Sequence, residues 1–419
     1  MTPRVGEITD LLGLAADRLA WPDGQLEAGV VWIDPGLGTI TDVVRAGHGP
    51  AGTRPEDVPG RLVDLGDRTI APGFVDVHVH GGAGHQVNGA SPAEVAEAVA
   101  HMAAFHARHG TTSLIATTVS DTPARLAASV AGVANAVREP RVGGARVLGC
   151  HLEGPFISTV HAGAQDRACI RPPDREELAR LLELGAGTVR IVTLAPELDG
   201  AGDLVAQCLE AGVTVSLGHS DGDFETARRA FDAGATHVTH LFDAMRPFHH
   251  RDPGLVAAAL LEERATLELI CDLHHVHGGA MELAGRVAPG RLVLVTDATS
   301  ATGAAPGTHY LGDLEVELDG TRVVLAADPT TLAGSALTME RAVRQVVAAG
   351  ALPLAQALRA AATVPARLAD PPASGHPAAR PGVLEPAAAA DLVVLEPDLE
   401  VAATIIGGLV AFDRDGVLA

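Results

Sequence analysis

The chain has 419 residues, of which 47% are hydrophobic and 20% charged, and its formal net charge is −22. This composition is typical of a globular protein with a large core, and the acidic excess argues against binding to nucleic acid or to an anionic membrane surface. All 30 basic residues are arginine, which excludes a P-loop lysine, a pyridoxal Schiff base and a carbamylated lysine between two metal ions. An anionic small substrate stays compatible, because a local pocket of arginine or histidine can lie on an acidic protein.

The predicted elements begin with short β segments at residues 29–34, 39–44 and 61–70, separated by glycine and proline. Eight runs rich in branched residues then alternate with helical stretches, as expected for right-handed βαβ units and a parallel sheet. The predicted strands of this part are 74–79, 112–117, 147–152, 189–194, 213–217, 237–240, 267–271 and 292–296. The predicted helices include 91–109, 122–138, 175–185, 223–233, 335–349 and 353–369, and two further strands follow at 391–395 and 401–406.

Eight strand–helix units favour a closed (β/α)₈ barrel of the TIM type over an open sheet. We therefore predict an α/β protein in which residues 72–379 form the barrel. Residues 1–71 and 380–419, the two chain ends, are predicted to pair into one small β-sandwich domain. A linker is predicted at 371–377 (PPASGHP), where proline and glycine cluster.

The four cysteines form no CxxC pair, and two of them lie inside predicted buried strands. Reduced core thiols and a cytoplasmic location are therefore expected. Residues 1–19 lack a basic stretch followed by an apolar one, which argues against a signal peptide. Nor does the chain contain a run of about 18 apolar residues that would predict a membrane span.

Residues that bind cations or move protons follow six of the apolar runs. They are His78, His80, Glu153, His219, His240, Asp272 and Asp297. In a (β/α)₈ barrel the carboxyl ends of the strands meet at one mouth, where the active site lies. Their shared position therefore predicts a divalent-metal hydrolase.

Glu153, His219 and His240 provide a carboxylate and two imidazoles, a set with which catalytic zinc keeps one position open for water. His78 and His80 are two residues apart on a strand, so both imidazoles point the same way and can reach one ion. Taken singly, each histidine is also explained as a hydrogen-bonded residue at the barrel mouth. Taken together they predict a divalent metal, zinc in first place, with one or two ions per subunit.

Asp297 ends the last predicted barrel strand. A carboxylate there can accept a proton from an attacking water and return it to a leaving amine. The structural alternative is a helix cap, but Ala298 and Thr299 offer no clear helix start.

A second set of residues suits an anion. Arg251 lies in a histidine-rich stretch and His275 in another. Arginine is the usual bidentate phosphate ligand, although surface histidine clusters often have no function.

Six segments closely resemble the N-acetylglucosamine-6-phosphate deacetylases, a family of the amidohydrolase superfamily, in order over roughly residues 70–400. They are 72–81 (PGFVDVHVHG), 151–156 (HLEGPF), 217–220 (LGHS), 239–245 (THLFDAM), 295–298 (VTDA) and 332–339 (LAGSALTM). The second and fourth are specific to this branch, whereas HxH and the final aspartate are shared across the superfamily. The resemblance implies a homodimer that hydrolyses N-acetylglucosamine 6-phosphate to glucosamine 6-phosphate and acetate, in amino-sugar catabolism or cell-wall recycling.

The resemblance also implies a role for each matching residue. The ligands of the principal ion would be Glu153, His219 and His240. Asp297 would be the acid/base, and the 6-phosphate would meet His275 and, across a dimer interface, Arg251. The substrate pocket would be lined by Gly163, Ala164, Gln165, Asp243, Ala244 and Leu332.

Three positions depart from the family pattern. Asp243 stands where asparagine is common, and a carboxylate there disfavours a phosphate. Gln165 stands where histidine is common, so the donor to the substrate carbonyl is Gln165 or His161. Leu273 stands where glycine is common. Some members replace the HxH pair with amides and use one metal.

Three alternatives stay open. The substrate could be the epimer, N-acetylgalactosamine 6-phosphate. The chain could be another amidohydrolase, although relatives with a carbamylated lysine are excluded. A non-catalytic barrel that binds sugar phosphates or a protein is disfavoured, because such barrels typically lose the ligands that this chain keeps.

Overall fold

The structure, a computed structural model, describes residues 11–46, 60–369 and 380–419. Its strands are β1 (Leu12–Ala20), β2 (Leu26–Asp34), β3 (Thr39–Arg45), β4 (Arg61–Asp64), β5 (Thr69–Pro72), β6 (Phe74–Val79), β7 (Gly81–Gly82), β8 (His85–Gln86), β9 (Thr111–Thr118), β10 (Arg146–Glu153), β11 (Val189–Leu194), β12 (Thr214–Leu217), β13 (His237–Val238), β14 (Thr266–Ile270), β15 (Leu292–Val295), β16 (Gly307–Leu311), β17 (Leu314–Asp319), β18 (Arg322–Leu325), β19 (Asp328–Leu332), β20 (Leu392–Leu395), β21 (Val401–Ile406) and β22 (Leu409–Asp413). Its helices are α1 (Pro92–Ala107), α2 (Pro123–Arg138), α3 (Arg175–Gly185), α4 (Ala201–Glu210), α5 (Phe224–Asp232), α6 (Gly254–Leu261), α7 (Gly278–Val287), α8 (Met339–Ala348), α9 (Leu354–Ala361) and α10 (Thr363–Ala369).

A parallel sheet of eight strands forms the barrel, in the order β15-β14-β13-β12-β11-β10-β9-β6. The first and last strands meet at their carboxyl ends, where Asp297 N donates to His78 O at 2.9 Å and a parallel bridge joins Val79 to Ala298. The buried Asp76 accepts hydrogen bonds from the backbone N–H and the hydroxyl of Thr296 across the same seam. The predicted barrel is therefore confirmed, and each of the eight predicted strands is present.

The strands of the barrel are buried on both faces, as the unbroken burial of β6, β9 and β15 shows. Their branched side chains therefore pack inwards against each other and outwards against the helices. Helix α1 begins at Pro92, with Ser91 Oγ accepting from Glu94 N, because a serine cap and a proline in the first turn satisfy the helix start.

Both chain ends contribute to one sheet of eight strands, ordered β22-β21-β20-β5-β1-β2-β3 with β4 also paired to β1. Hydrogen bonds of 2.9 and 2.8 Å tie Ile40 of β3 to Ala388 and Ala387, just before β20, so the sheet folds over its own apolar core. The small β domain made from both ends is thus confirmed, with β1 and β22 as strands that the sequence pattern did not predict.

Two predicted helices differ in extent. The first begins at Met339 rather than at residue 335, because Ser335 stays extended and its N–H donates to Asp297 O at 2.7 Å. The second is divided into α9 and α10 at Ala362, just before Pro365, which has no N–H to donate within a continuous helix.

An antiparallel sheet of four strands, β16 to β19, follows the last barrel strand and was not predicted. Its inner side packs on Val119 and Ala301 at the barrel mouth. Strand β17 alternates apolar and acidic residues, which is a strand pattern that the sequence offered.

Some predictions fall on residues that are not described. Residues 1–10 of the stretch judged for a signal peptide and the predicted linker at 371–377 lie outside the described ranges. Within those ranges, none of the helices has both the length and the apolar character needed to span a bilayer.

Candidate metal centre and active site

The predicted ligands converge at the carboxyl ends of the barrel strands. Glu153 is the last residue of β10, while His219, His240 and Asp297 follow β12, β13 and β15. The last three have positive φ angles of 47°, 30° and 50°. Such left-handed backbone is unfavourable for residues with side chains and is concentrated at functional sites. Here it turns the chain sharply at the end of each strand.

Three ligand atoms come together in the first cluster. Glu153 Oε1 lies 3.0 Å from Nε2 of both His219 and His240, and the two nitrogens are 3.2 Å apart. The Nδ1 atoms of these histidines lie 2.8 and 3.2 Å from the carbonyl oxygens of His161 and Asp243. A carbonyl accepts only from an N–H, so the proton of each neutral ring is on Nδ1 and the Nε2 lone pairs face each other. Such an arrangement fits a cation at its centre.

A second cluster shares the same carboxylate. His80 Nε2 lies 3.3 Å from Glu153 Oε2, and His78 Nε2 lies 3.1 Å from His80 Nε2 and 3.5 Å from Glu153 Oε1. Both clusters are buried, and each brings its ligand atoms within 4.8 Å of one another. The donor chemistry of the described residues thus fits one ion and provides a second set of ligands beside it.

The charges of this centre favour a cation. Burial raises the pKa of Glu153, but His78 and His219 outweigh it and hold that pKa well below its ordinary value. Burial lowers the pKa of His80, but Asp297 and Glu153 raise it to about 9. A divalent ion that binds beside His80 would therefore displace a proton from it.

Asp297 lies beside both clusters. Its Oδ1 is 3.1 Å from His80 Nε2 and 3.5 Å from His78 Nε2. Burial raises the pKa of Asp297, but these two histidines lower it below its ordinary value. The carboxyl is therefore ionised at neutral pH and can accept a proton.

A pocket of about 260 Å³ opens above the centre. Its lining includes the predicted residues His80, Glu153, Ala164, Gln165, His219, His240, Asp243, Ala244, His275, Asp297 and Leu332. Leu311, Thr330 and Thr331 from the four-stranded sheet cover one side. A larger cavity of about 520 Å³ lies between the small domain and α9 and contains none of the predicted site residues.

The side-chain amide of Gln165 is hydrogen-bonded to Glu153 and to Ser120. Its amide nitrogen donates to Glu153 Oε2 at 2.7 Å, and its amide oxygen accepts from Ser120 N at 2.6 Å. His161, the other candidate donor to the substrate carbonyl, is 3.0 Å from Asp221 Oδ1.

His275 and Asp243 also line the pocket. His275 Nδ1 lies 2.8 Å from Asp272 Oδ2, and this pairing raises the pKa of His275 to about 9 against the effect of burial. Burial raises the pKa of Asp243 to about 7, and its Oδ2 has no hydrogen-bond partner among the described residues. Asp272, which also follows a barrel strand, is therefore paired with His275 and is not part of the metal-ligand clusters.

Two predicted residues lie outside the pocket of their own chain. Arg251 is exposed, and its guanidinium is 2.9 Å from His250 Nε2. Leu273 is 52% exposed and has a positive φ of 64°, a conformation that suits glycine better. No arginine is among the residues that line the pocket in the described part of the chain.

Glu268, which is fully buried in β14 and bonded to His78, was not predicted from the sequence. The available signal was a glutamate between two leucines in a strand predicted to be buried on both faces. Thr330 and Thr331 were not predicted either, because they lie in the four-stranded sheet that was not predicted.

Comparisons with known proteins agree with this geometry. The profile of the amidohydrolase family matches residues 69–411. N-acetylglucosamine-6-phosphate deacetylase of Homo sapiens is 39% identical over 360 residues, which are 84% of this chain and 85% of that protein. N-acetylgalactosamine-6-phosphate deacetylase of Escherichia coli O157:H7 is 36% identical over 356 residues, 85% of this chain and 89% of that protein.

A solved structure is also similar over nearly the whole chain. It is a mutant N-acetyl-D-glucosamine-6-phosphate deacetylase from Mycobacterium smegmatis in complex with N-acetyl-D-glucosamine-6-phosphate. Its TM-score is 0.84 at 38% identity, and the match covers 96% of this chain and 99% of that one. The family match, the barrel and the metal-ligand clusters together place this chain in the metal-dependent amidohydrolase family, among the N-acetylglucosamine-6-phosphate deacetylases.

Proposed function

We propose that this enzyme hydrolyses the N-acetyl group of N-acetylglucosamine 6-phosphate, giving glucosamine 6-phosphate and acetate, as part of amino-sugar catabolism. The observation that carries the proposal is the convergence of Glu153, His219 and His240 beside Asp297 at the floor of one pocket. A linear amide bond is the substrate that this set of groups suits, since it needs an activated water, a polarised carbonyl and a proton for the leaving amine.

The metal ligands of the proposal are Glu153, His219 and His240 for the first ion, with His78 and His80 available for a second. Zinc is the ion that this mixture of imidazole and carboxylate suits best. When bound, the ion supplies Lewis acidity, which acidifies a water molecule and polarises a carbonyl oxygen. Gln165 holds Glu153 in place from the pocket side, because its amide donates to Oε2 at 2.7 Å.

Asp297 is the proposed acid/base. Its carboxylate is ionised before the reaction, so it accepts the proton from the attacking water. It then gives that proton to the sugar nitrogen as the C–N bond breaks. Leu332 and its neighbours in the four-stranded sheet cover one side of the pocket and limit the entry of bulk water there, which strengthens the charge interactions inside.

The phosphate end of the proposed site is completed by a second subunit. His275 is charged at neutral pH, and the carboxylates of Asp243 and Asp272 lie near it and offset its charge. A phosphate dianion therefore needs another cation. Arg251 of the partner subunit, reaching across a homodimer interface, is proposed to supply it, with Asp243, Ala244 and Ala164 completing the sugar pocket.

Two further assignments belong to the proposal. The barrel domain is taken as residues 72–379 and the small domain as 1–71 with 380–419. A cytoplasmic location is supported by four free cysteines, three of which are buried.

The test is an acetate-release assay with four substrates: N-acetylglucosamine and N-acetylgalactosamine, each with and without the 6-phosphate. We expect N-acetylglucosamine 6-phosphate to have the highest kcat/KM. A preference for the galactosamine epimer would select the alternative that the Escherichia coli relative represents. Turnover that ignores the phosphate would remove the roles of His275 and Arg251, and release of no acetate from any of the four would reject the function.

A further inference from the structure

Glu268 is a fully buried carboxylate in the middle of β14, below the floor of the pocket. It has no part in the reaction proposed above, and its side chain lies on the face of β14 opposite to that of Leu267 and Leu269. Burying an ionised carboxylate is unfavourable unless donors or cations compensate it. The groups that contact Glu268 therefore indicate its role.

Three donors surround this carboxylate. Oε2 lies 2.8 Å from His78 Nδ1 and accepts the backbone N–H of His240 at 3.1 Å. Oε1 lies 2.9 Å from Nε2 of the buried His237. The other ring nitrogen of His237 is 2.7 Å from the hydroxyl of Thr266, which can donate to it and so leaves the ring proton facing Glu268. Glu268 is thus held in one orientation from three sides.

His78 differs from the other histidines of the metal centre in what supports it. The Nδ1 atoms of His80, His219 and His240 rest on backbone carbonyls, whereas Nδ1 of His78 rests on a carboxylate. This leaves the Nε2 lone pair of His78 directed at His80 and Glu153. A carboxylate behind a histidine fixes the orientation of the ring and raises its basicity as a metal ligand.

The buried carboxylates of the centre favour bound cations. Glu153, Asp297 and Glu268 are all buried, and no arginine lines the pocket in the described chain. Cations beside these carboxylates offset their negative charge. Buried charges that are not compensated are strongly destabilising.

We propose that Glu268, held in place by His237, is the positioning residue that makes His78, His80 and Glu153 a second metal position, so that each subunit holds two ions. Glu268 contacts neither substrate nor ion and acts through His78. This inference rests on the proposed function, since it assigns a further residue to the same metal centre.

The test is zinc binding by the variant Glu268→Gln. Zinc affinity is measured by competition with a chromophoric chelator, and the number of zinc ions per subunit by elemental analysis. The amide keeps the shape of the side chain, but only its oxygen can accept a hydrogen bond. In the unmodified enzyme both oxygens of Glu268 face donors. We expect the first ion to bind as in the unmodified enzyme and the second about 10–100-fold more weakly, as for other residues behind metal ligands. Acetate release by the variant should recover as zinc is raised.

Glu340→Gln is the matched control. Glu340 is also a buried carboxylate bonded to a histidine, with Oε1 at 2.9 Å from His109 Nδ1, but it lies outside the pocket. Its zinc content and affinity should equal those of the unmodified enzyme. If Glu268→Gln does not fold, His237→Leu removes one donor and leaves the carboxylate, and the second ion should again bind more weakly.

Several outcomes would overturn the inference. They are unchanged affinity for the second ion in the folded variant, equal weakening of both ions, and uptake of a single ion by the unmodified enzyme at saturating zinc. The last result would leave deacetylation standing. Conversely, an enzyme loaded with two ions that releases no acetate would reject the proposed function and not the role of Glu268.

Discussion

Replacement of Asp297 by asparagine is the sharpest test of the proposed chemistry. The side chain lies at the pocket floor, with Oδ1 at 3.1 Å from His80 Nε2. Its backbone is held by hydrogen bonds to His78 O and from Ser335 N, at 2.9 and 2.7 Å, which do not depend on the side chain. Asparagine tolerates the positive φ of 50° at least as well as aspartate. We therefore expect Asp297→Asn to fold and to keep the three ligands of the first ion.

The expected loss follows from the chemistry removed. An amide cannot accept the proton of the attacking water, and general acid/base groups contribute about 10²–10⁴ in rate, which is about 3–5.5 kcal/mol of activation free energy. We expect this loss in kcat, with KM changed little, in an acetate-release assay on protein of matched zinc content. A kcat within a few-fold of the unmodified enzyme, at equal zinc content and unfolding midpoint, would refute the role of Asp297.

Four other predictions concern the phosphate end and the metal. Arg251→Ala should raise KM for the phosphorylated substrate by about tenfold or more, as for loss of a charged hydrogen bond, with little change for the unphosphorylated sugar; equal effects on both substrates would contradict its role. The pKa of His275 is raised to about 9, so its side chain is charged below that pH. KM for the phosphorylated substrate should therefore rise as the pH passes about 9, and His275→Gln should abolish this rise. The same pair with Asp272 stabilises the fold fully below the ordinary histidine pKa, near 6.5, and this contribution is lost as pH rises through about 9, which thermal unfolding against pH can measure. Removal of metal by a chelator should abolish acetate release and lower the unfolding midpoint, since an ion that binds only the folded state stabilises it; activity that survives at undetectable metal would exclude metal dependence.

Much of the barrel could be predicted from periodicity because its strands are buried on both faces. Runs such as residues 292–296 are apolar throughout, and their length and spacing are typical of parallel strands. The strand β1 was missed because Asp17 and Arg18 interrupt its pattern, where the pairing with β2 is irregular. The sheet β16–β19 was not predicted, although the alternation of Leu314, Val316 and Leu318 with acidic residues in β17 is a strand pattern.

The metal ligands could be predicted for a related reason. Glu153, His219, His240 and Asp297 each follow a strand, and strand ends meet in a barrel whatever their separation along the chain. Glu268 could not be assigned in this way, since its role depends on which side of β14 faces His78. Gln165 likewise was predicted to contact the substrate, whereas in the structure its amide is bonded to Glu153 and Ser120.

By itself the sequence determined the order of the elements, the residue types able to hold a cation and the absence of lysine chemistry, because these follow from local pattern and composition. Only the tertiary structure decided which carboxylate lies between which imidazoles, which tautomer each ring adopts, and that Arg251 is outside the pocket of its own chain. Those properties depend on distances of about 3 Å between residues far apart in the chain, and such distances are set by how the barrel closes rather than by any local run of residues.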